Sequence, residues 1–184
     1  TKKIKEKYPD CITIWGGYFA SNQYQVSISS GFVDYVINGP GDIAFPSLIR
    51  VLEDNNHTEI STIKNLIFKN EEGEIIKTAK EELLDQDSLP KLPYQHLNSF
   101  YNLENYLSKT FLGRNTFSYH SSLGCPFTCS FCAVVPIYKG RWKAKSAESV
   151  YKDVKYFKDT YRIEAIEFHD NNFFLKDVPH AFSA

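Results

Sequence analysis

The sequence contains no methionine, no long apolar run and almost no net charge. No stretch approaches the roughly 20 apolar residues that a membrane-spanning helix requires. Residues 1–7 are rich in lysine and lack the apolar core of a signal peptide. A formal net charge of −1 provides no general attraction for nucleic acids or anionic membranes. We therefore expect no membrane span and no nucleic-acid partner.

The absence of an initiator methionine also suggests that the chain begins within a longer protein. A helix tail at residue 1 and a barrel pattern that stops at Ala184 agree with this, so we expect a fragment. The 184 residues are enough for one good core or two small ones. A hydrophobic content of 42%, with 15% aromatic residues, excludes disorder of the whole chain.

Cysteine is scarce, yet three of the four cysteines lie within eight positions, at Cys125, Cys129 and Cys132. Three thiolates spaced Cys-x3-Cys-x2-Cys suit a soft metal centre. Zinc sites usually take four protein ligands, and the chain has no second cysteine pair and no His-x3-His. A four-iron cluster fits better, because three cysteines leave its fourth iron open to an exogenous ligand.

Other interpretations of the cysteines stay open. They could be ordinary thiols on a surface turn, although such a turn in an intracellular chain would invite oxidation. A disulfide would leave one thiol unpaired and would be strained by the short spacing. A small interaction module that holds zinc or a structural cluster is a third, non-enzymatic possibility.

The first part of the chain alternates helices with short apolar strands. Buried strands are predicted at residues 11–15 and 34–38, and each ends in a glycine-rich turn, Gly16-Gly17 and Gly39-Pro40-Gly41. This order is typical of the second half of a doubly wound α/β domain. In such sheets ligands bind beyond the carboxyl ends of the strands, where both glycine turns fall.

Two helices and a hairpin complete this part. A short helix is predicted over residues 19–28, and an apolar stripe predicts another that begins beside its expected cap, Asp42. Strands at residues 65–68 and 74–76 flank a turn with Gly73 at the left-handed position, which predicts a β-hairpin.

The cysteine segment resembles the radical S-adenosylmethionine (SAM) family. That family carries Cys-x3-Cys-x2-Cys after the first strand of a β/α barrel, usually with an aromatic residue before the last cysteine, and Phe131 occupies that place. The resemblance implies that Cys125, Cys129 and Cys132 bind a four-iron four-sulfur cluster. SAM would chelate the open iron, and its reductive cleavage would yield a 5′-deoxyadenosyl radical.

The glycine turns that precede this motif resemble a narrower group, the cobalamin-dependent radical SAM enzymes. In that group a cobalamin-binding Rossmann-like domain precedes the barrel, and one of its strands ends in Gly-Gly and another in Gly-Glu-Gly-Glu. The resemblance implies that the cobalamin site is lined by Gly16, Gly17, Gly39 and Gly41. Pro40 and Asp42 stand where the group usually has glutamates.

The last part of the chain reads as the start of the barrel. A first strand is predicted at residues 116–123 and a second at residues 163–168, joined by a helix capped by Ser146. By resemblance, Asp170 after the second strand contacts the SAM ammonium group, and Phe131 also lies in the SAM site. A turn aspartate is the alternative interpretation of Asp170. The basic segment at residues 139–145, with four cations in seven residues, is either a solvated loop or part of a cofactor or substrate site.

We therefore expect a partial cobalamin-binding domain at residues 1–54, a linker with a hairpin at 55–115, and the first units of a radical SAM barrel at 116–184. The resemblance implies a cobalamin-dependent, methyltransferase-like enzyme with an electron donor such as flavodoxin or ferredoxin, in an anaerobic cytoplasm. The fragment alone should be inactive, and these residues do not specify the small-molecule or peptide substrate. A radical SAM enzyme without cobalamin, similar to methylthiotransferases, is the alternative enzyme.

Overall fold

A computed structural model of the chain describes residues 1–173. The contacts within this range form two compact units. The first contains residues 1–82 and 128–139, and the second contains residues 83–127 and the described residues from 140 onward. Within the described residues, no helix is both long enough and apolar enough to cross a membrane.

The first unit is an α/β unit in which helices and strands alternate. Its elements are α1 (Lys2–Lys7), β1 (Ile14–Trp15), α2 (Gly17–Asn22), α3 (Tyr24–Ser29), β2 (Tyr35–Ile37), α4 (Ala44–Glu53), a 3-10 helix (His57–Thr62), β3 (Leu66–Lys69), β4 (Ile75–Lys77) and α6 (Val135–Tyr138).

Strands β1 to β4 form one sheet in sequence order. Strands β1 and β2 are parallel, whereas β2 with β3 and β3 with β4 are antiparallel. Helices cover both faces: Ile37 packs with Leu48 of α4 in one buried cluster, and Val36 packs with Ala20 of α2 in another. Alternate residues of β2 thus point into two cores, which explains its continuous apolar sequence.

Several local predictions for this unit are confirmed and others are wrong. The hairpin forms, and Gly73 has the predicted positive φ of 80°. The helix predicted over residues 19–28 is instead two helices, because the backbone leaves helical geometry at Gln23, with φ −111° and ψ 39°. The predicted cap Asp42 is also wrong, since α4 is preceded by Ile43 and has no side-chain cap.

The second unit begins with an irregular segment and continues with β/α elements. They are α5 (Tyr94–Phe100), a 3-10 helix (Leu103–Tyr106), β5 (Thr116–Tyr119), β6 (Ser122–Gly124), β7 (Trp142–Ala144), α7 (Ala147–Tyr161) and β8 (Ala165–Phe168).

Strands β5 and β8 are parallel neighbours joined through α7, so this unit contains a β/α/β arrangement. The predicted cap of α7 is confirmed, because the Ser146 side chain accepts a hydrogen bond from the Ser149 amide at 3.1 Å. The helix buries Val150, Phe157 and Tyr161 in the core of the unit.

The strand predicted at residues 116–123 is two separate strands, which corrects the prediction. Strand β5 pairs with β8, whereas β6 pairs with β7 in an antiparallel ladder. The break falls at Ser121, whose amide donates to the Asp170 carboxylate at 3.0 Å rather than to a neighbouring strand. A side chain from 49 residues away thus ends the first ladder.

Candidate functional site

The motif cysteines lie on the segment that links β6 to α6. Cys129 and Cys132 are at the two ends of one tight turn, in which the Cys132 amide donates to the Cys129 carbonyl at 3.1 Å. Cys125, in the second unit, directly follows β6, and its amide donates to the Arg141 carbonyl at 3.1 Å. All three cysteines are free thiols; Cys129 is exposed and the other two are partly buried.

The donor chemistry of this segment fits an iron–sulfur cluster. Three free thiols lie within eight residues, and two of them belong to the first and last residues of one hydrogen-bonded turn. Among the described residues, no three His, Cys, Asp or Glu side chains are arranged so that they could hold a metal ion. Ligation by Cys125, Cys129 and Cys132 therefore stays a prediction. Phe131, between the last two cysteines, is 91% exposed, and its role in a SAM site also stays a prediction.

The predicted glycine turns lie at one edge of the first sheet. Trp15 pairs with Val36 in the parallel ladder, so the residues after β1 and β2 emerge at the same edge. A Cβ on Gly16 would lie 3.8 Å from Ile37, and a Cβ on Gly41 would lie 3.5 Å from the same side chain. Both turns therefore approach the end of β2 closely.

Two of these positions also require glycine, because their backbone adopts a positive φ. Gly17 has a φ of +84° and Gly39 a φ of +116°, which side chains with a Cβ rarely adopt. We call this edge, formed by Gly16, Gly17, Gly39 and Gly41, the glycine edge. The space beside Gly17 is open to 4 Å, whereas Lys80 Nζ lies 3.4 Å from where a Cβ on Gly39 would stand.

Polar side chains fix the turn after β2. The Gly39 amide donates to Ser21 Oγ at 3.1 Å, and the Asn38 amide donates to the Asn65 carbonyl at 2.7 Å. Lys80 Nζ donates to the carbonyl oxygen of Asn38 and, at 2.9 Å, to its Oδ1. These contacts hold the turn rigidly beside the strand end.

Asn38 was missed by the sequence reasoning. It is only 3% exposed, and its Nδ2 has no hydrogen-bond partner among the described residues. Because Oδ1 faces Lys80, the orientation of the amide is fixed and the unpaired atom is a donor. The sequence signal that could have identified it is a polar residue at the end of an apolar strand, directly before glycine. An orphaned donor at the glycine edge is what a ligand rich in carbonyl oxygens would satisfy.

Asp170 lies just beyond the end of β8. Its carboxylate accepts from the Ser121 amide, from Ser121 Oγ at 3.1 Å and from Ser122 Oγ. It therefore joins the end of β8 to the start of β6. The predicted contact of Asp170 with SAM stays a prediction.

The basic segment that follows the cysteines contains a partly buried ion pair. Lys145 Nζ lies 2.7 Å from Asp153 Oδ2, and the Tyr119 hydroxyl donates to the same oxygen at 2.6 Å. Burial, together with this hydrogen bond to a carboxylate, raises the pKa of Tyr119. Lys145, which directly follows β7, is thus ion-paired with a residue of α7, whereas Lys143 is exposed.

Comparison with curated proteins gives relatives of known chemistry. The hopanoid C-3 methylase of Methylococcus capsulatus is 26% identical over 163 residues, which cover 86% of this chain and 29% of the methylase. An anaerobic magnesium-protoporphyrin IX monomethyl ester cyclase of Cereibacter sphaeroides is 27% identical over 135 residues, covering 72% of this chain and 21% of the cyclase. The chain thus spans less than a third of either relative. No protein-family model matches the chain.

Solved structures match nearly the whole chain. The cobalamin-dependent SAM radical enzyme OxsB, with aqua-cobalamin and SAM bound, has a TM-score of 0.67 at 16% identity, over 94% of this chain and 22% of OxsB. The radical SAM methyltransferase TsrM from Kitasatospora setae, with cobalamin and a 4Fe–4S cluster bound, has a TM-score of 0.63 at 18% identity, over 93% of this chain and 33% of TsrM. The chain has the fold of the cobalamin-dependent radical SAM enzymes.

The expected family resemblance and the expected fold class are thereby confirmed. The two solved neighbours bind, between them, the three cofactors that the resemblance implies: cobalamin, SAM and a 4Fe–4S cluster.

Proposed function

We propose that the chain is part of a cobalamin-dependent radical SAM enzyme. Cys125, Cys129 and Cys132 hold a four-iron four-sulfur cluster, and the glycine edge binds cobalamin. When bound, the cluster supplies the electron for reductive cleavage of SAM to a 5′-deoxyadenosyl radical, and cobalamin serves methyl transfer or a related radical transformation. The observation that carries the proposal is the order of parts: a glycine edge on one unit, then three free thiols in Cys-x3-Cys-x2-Cys spacing after β6.

The residues of the chain have separate roles in this proposal. The motif thiols bind as thiolates, which are the soft ligands that iron–sulfur clusters require. Phe131, which stands between Cys129 and Cys132 in the sequence and has an exposed ring, would contact SAM. The Asp170 carboxylate accepts at Oδ2 from the Ser121 amide, at 3.2 Å, and this oxygen keeps a further lone pair for the SAM ammonium group.

At the glycine edge, the backbone of Gly16, Gly17, Gly39 and Gly41 allows close approach of the corrin ring. The Nδ2 of Asn38, which is unpaired within the described residues, would supply a hydrogen-bond donor for an acceptor oxygen of the cofactor. This edge favours cobalamin over the alternative of an enzyme similar to methylthiotransferases, which bring additional cysteines in the preceding domain. The first unit has only Cys11 before the motif.

Anaerobic reconstitution of the chain with iron and sulfide tests the cluster. We expect about four iron and four sulfide ions per chain, with a broad absorption that extends into the visible. A variant in which Cys125, Cys129 and Cys132 are all alanine should lose both. Cys11→Ala is the matched control, because Cys11 is an exposed free thiol outside the motif. Uptake of zinc without iron or sulfide would favour the interaction module and would refute the enzyme.

Titration of the chain with aqua-cobalamin tests the second site. Binding that shifts the corrin absorption supports the glycine edge. Uptake of iron and sulfide without corrinoid binding by the full-length protein would support the cobalamin-independent alternative instead.

A further inference from the structure

The segment after β8 makes several contacts with the start of β6. Asp170 Oδ1 accepts three hydrogen bonds: from the Ser121 amide at 3.0 Å, from Ser121 Oγ at 3.1 Å and from Ser122 Oγ. Both serines are buried, at 5% and 7% exposure. Hydrogen bonds to a charged acceptor are stronger than bonds between neutral groups, so this carboxylate stabilises the start of β6 in addition to its ladder with β7.

A second hydrogen-bond acceptor in the same segment contacts β7. The Asn172 carbonyl accepts from Trp142 Nε1 at 3.1 Å and lies 3.2 Å from Ser122 Oγ, whose single proton is directed at Asp170. Ser122 begins β6 and Trp142 begins β7, so one short segment holds both strands of the ladder.

In the sequence, the cysteine segment lies between these two strands. The chain leaves β6 at Gly124 and enters β7 at Trp142, and the last bond of the ladder joins the Cys125 amide to the Arg141 carbonyl. The first proposed ligand therefore takes its position from the ladder that Asp170 and Asn172 hold.

We infer that Asp170 is a positioning residue that fixes the base of the cysteine segment, and so Cys125, for cluster binding. The inference rests on the proposed cluster and goes beyond it, because this role operates before SAM binds. Outer groups that orient ligands typically change metal affinity about 10- to 100-fold when they are removed. Asp170 acts through Ser121 and Ser122, so we expect the lower end of that range.

The test compares iron retention in reconstituted variants of the chain during challenge with a chelator. Asp170→Asn removes the charge and places an amide group against the serine donors. Ser122→Ala removes one donor on the other side of the contact. Glu167→Gln is the matched control, because it makes the same chemical change on β8 at a side chain that is half exposed and contacts His169 instead. Circular dichroism shows whether each variant is folded at the assay temperature.

We expect Asp170→Asn and Ser122→Ala, while folded, to retain iron about tenfold less well than the unmodified chain, and Glu167→Gln to retain it normally. Normal retention in folded Asp170→Asn would overturn the inference. If that variant kept its iron but lost the change that SAM produces in the electron paramagnetic resonance signal, Asp170 would act on SAM alone. Failure of the unmodified chain to take up iron would instead refute the proposed function, which is a separate outcome.

Discussion

The substitution Asn38→Asp separates ligand binding at the glycine edge from folding. Asn38 Oδ1 accepts from Lys80 at 2.9 Å, while Nδ2 has no partner among residues 1–173. Aspartate keeps the acceptor that Lys80 uses and replaces the unpaired donor with an oxygen. The adjacent ammonium group offsets the new negative charge, so the midpoint of thermal unfolding should not fall.

Binding of cobalamin should weaken in this variant, because the second carboxylate oxygen would face an acceptor oxygen of the cofactor. The loss of one hydrogen bond with an unsatisfied group left behind costs about 1–3 kcal/mol. Since about 1.4 kcal/mol is a tenfold change, the Kd for aqua-cobalamin should rise about 5- to 150-fold.

The assay is equilibrium dialysis of the chain against aqua-cobalamin, and the matched control is Asn70→Asp. The Asn70 Oδ1 accepts from the Glu74 amide at 2.7 Å, an acceptor role that aspartate also keeps, and only an exposed donation from Nδ2 to Glu74 Oε2 at 3.3 Å is lost. The antiparallel register of β2 and β3 places the hairpin tip at the sheet edge opposite Gly39. An unchanged Kd in folded Asn38→Asp would refute the role of the orphaned donor.

Two further predictions concern stability. Gly39→Ala should lower the free energy of unfolding by about 1–3 kcal/mol. The loss should exceed that of Gly73→Ala, because the φ of +116° at Gly39 lies further from the left-handed region open to other residues than the φ of +80° at Gly73. Equal losses in urea denaturation would contradict this. The pKa of Asp34 is lowered, since burial, which raises it, is outweighed by hydrogen bonds from Lys5 and Thr13. Its contribution is therefore complete above the ordinary pKa of 3.8 and is lost as the pH falls through the lower folded value. Asp34→Asn should show a shallower loss of stability on acidification, and an identical slope would contradict this.

Local sequence signals were sufficient where neighbouring residues determine the structure. Ser146 caps α7, Gly73 forms the hairpin turn, and two apolar strands each end in glycine at one sheet edge, as the sequence predicts. In these cases the deciding interaction lies within a few residues.

Distant contacts account for what the sequence could not predict. The break between β5 and β6 depends on Asp170, 49 residues from Ser121, and the sequence of residues 116–123 carries no trace of it. The orphaned amide of Asn38 becomes visible only when Lys80, 42 residues away, fixes its orientation. The cysteine spacing predicts the ligands, but their arrangement depends on the metal, because metal binding and local folding are coupled.

The most direct test of the central claim is electron paramagnetic resonance of the reconstituted, reduced chain before and after addition of SAM. Three cysteine ligands and an open iron predict the signal of a reduced four-iron cluster that changes when SAM binds, and its loss in Cys125→Ala but not in Cys11→Ala. A signal that SAM leaves unchanged, or one that survives in Cys125→Ala, would contradict the account.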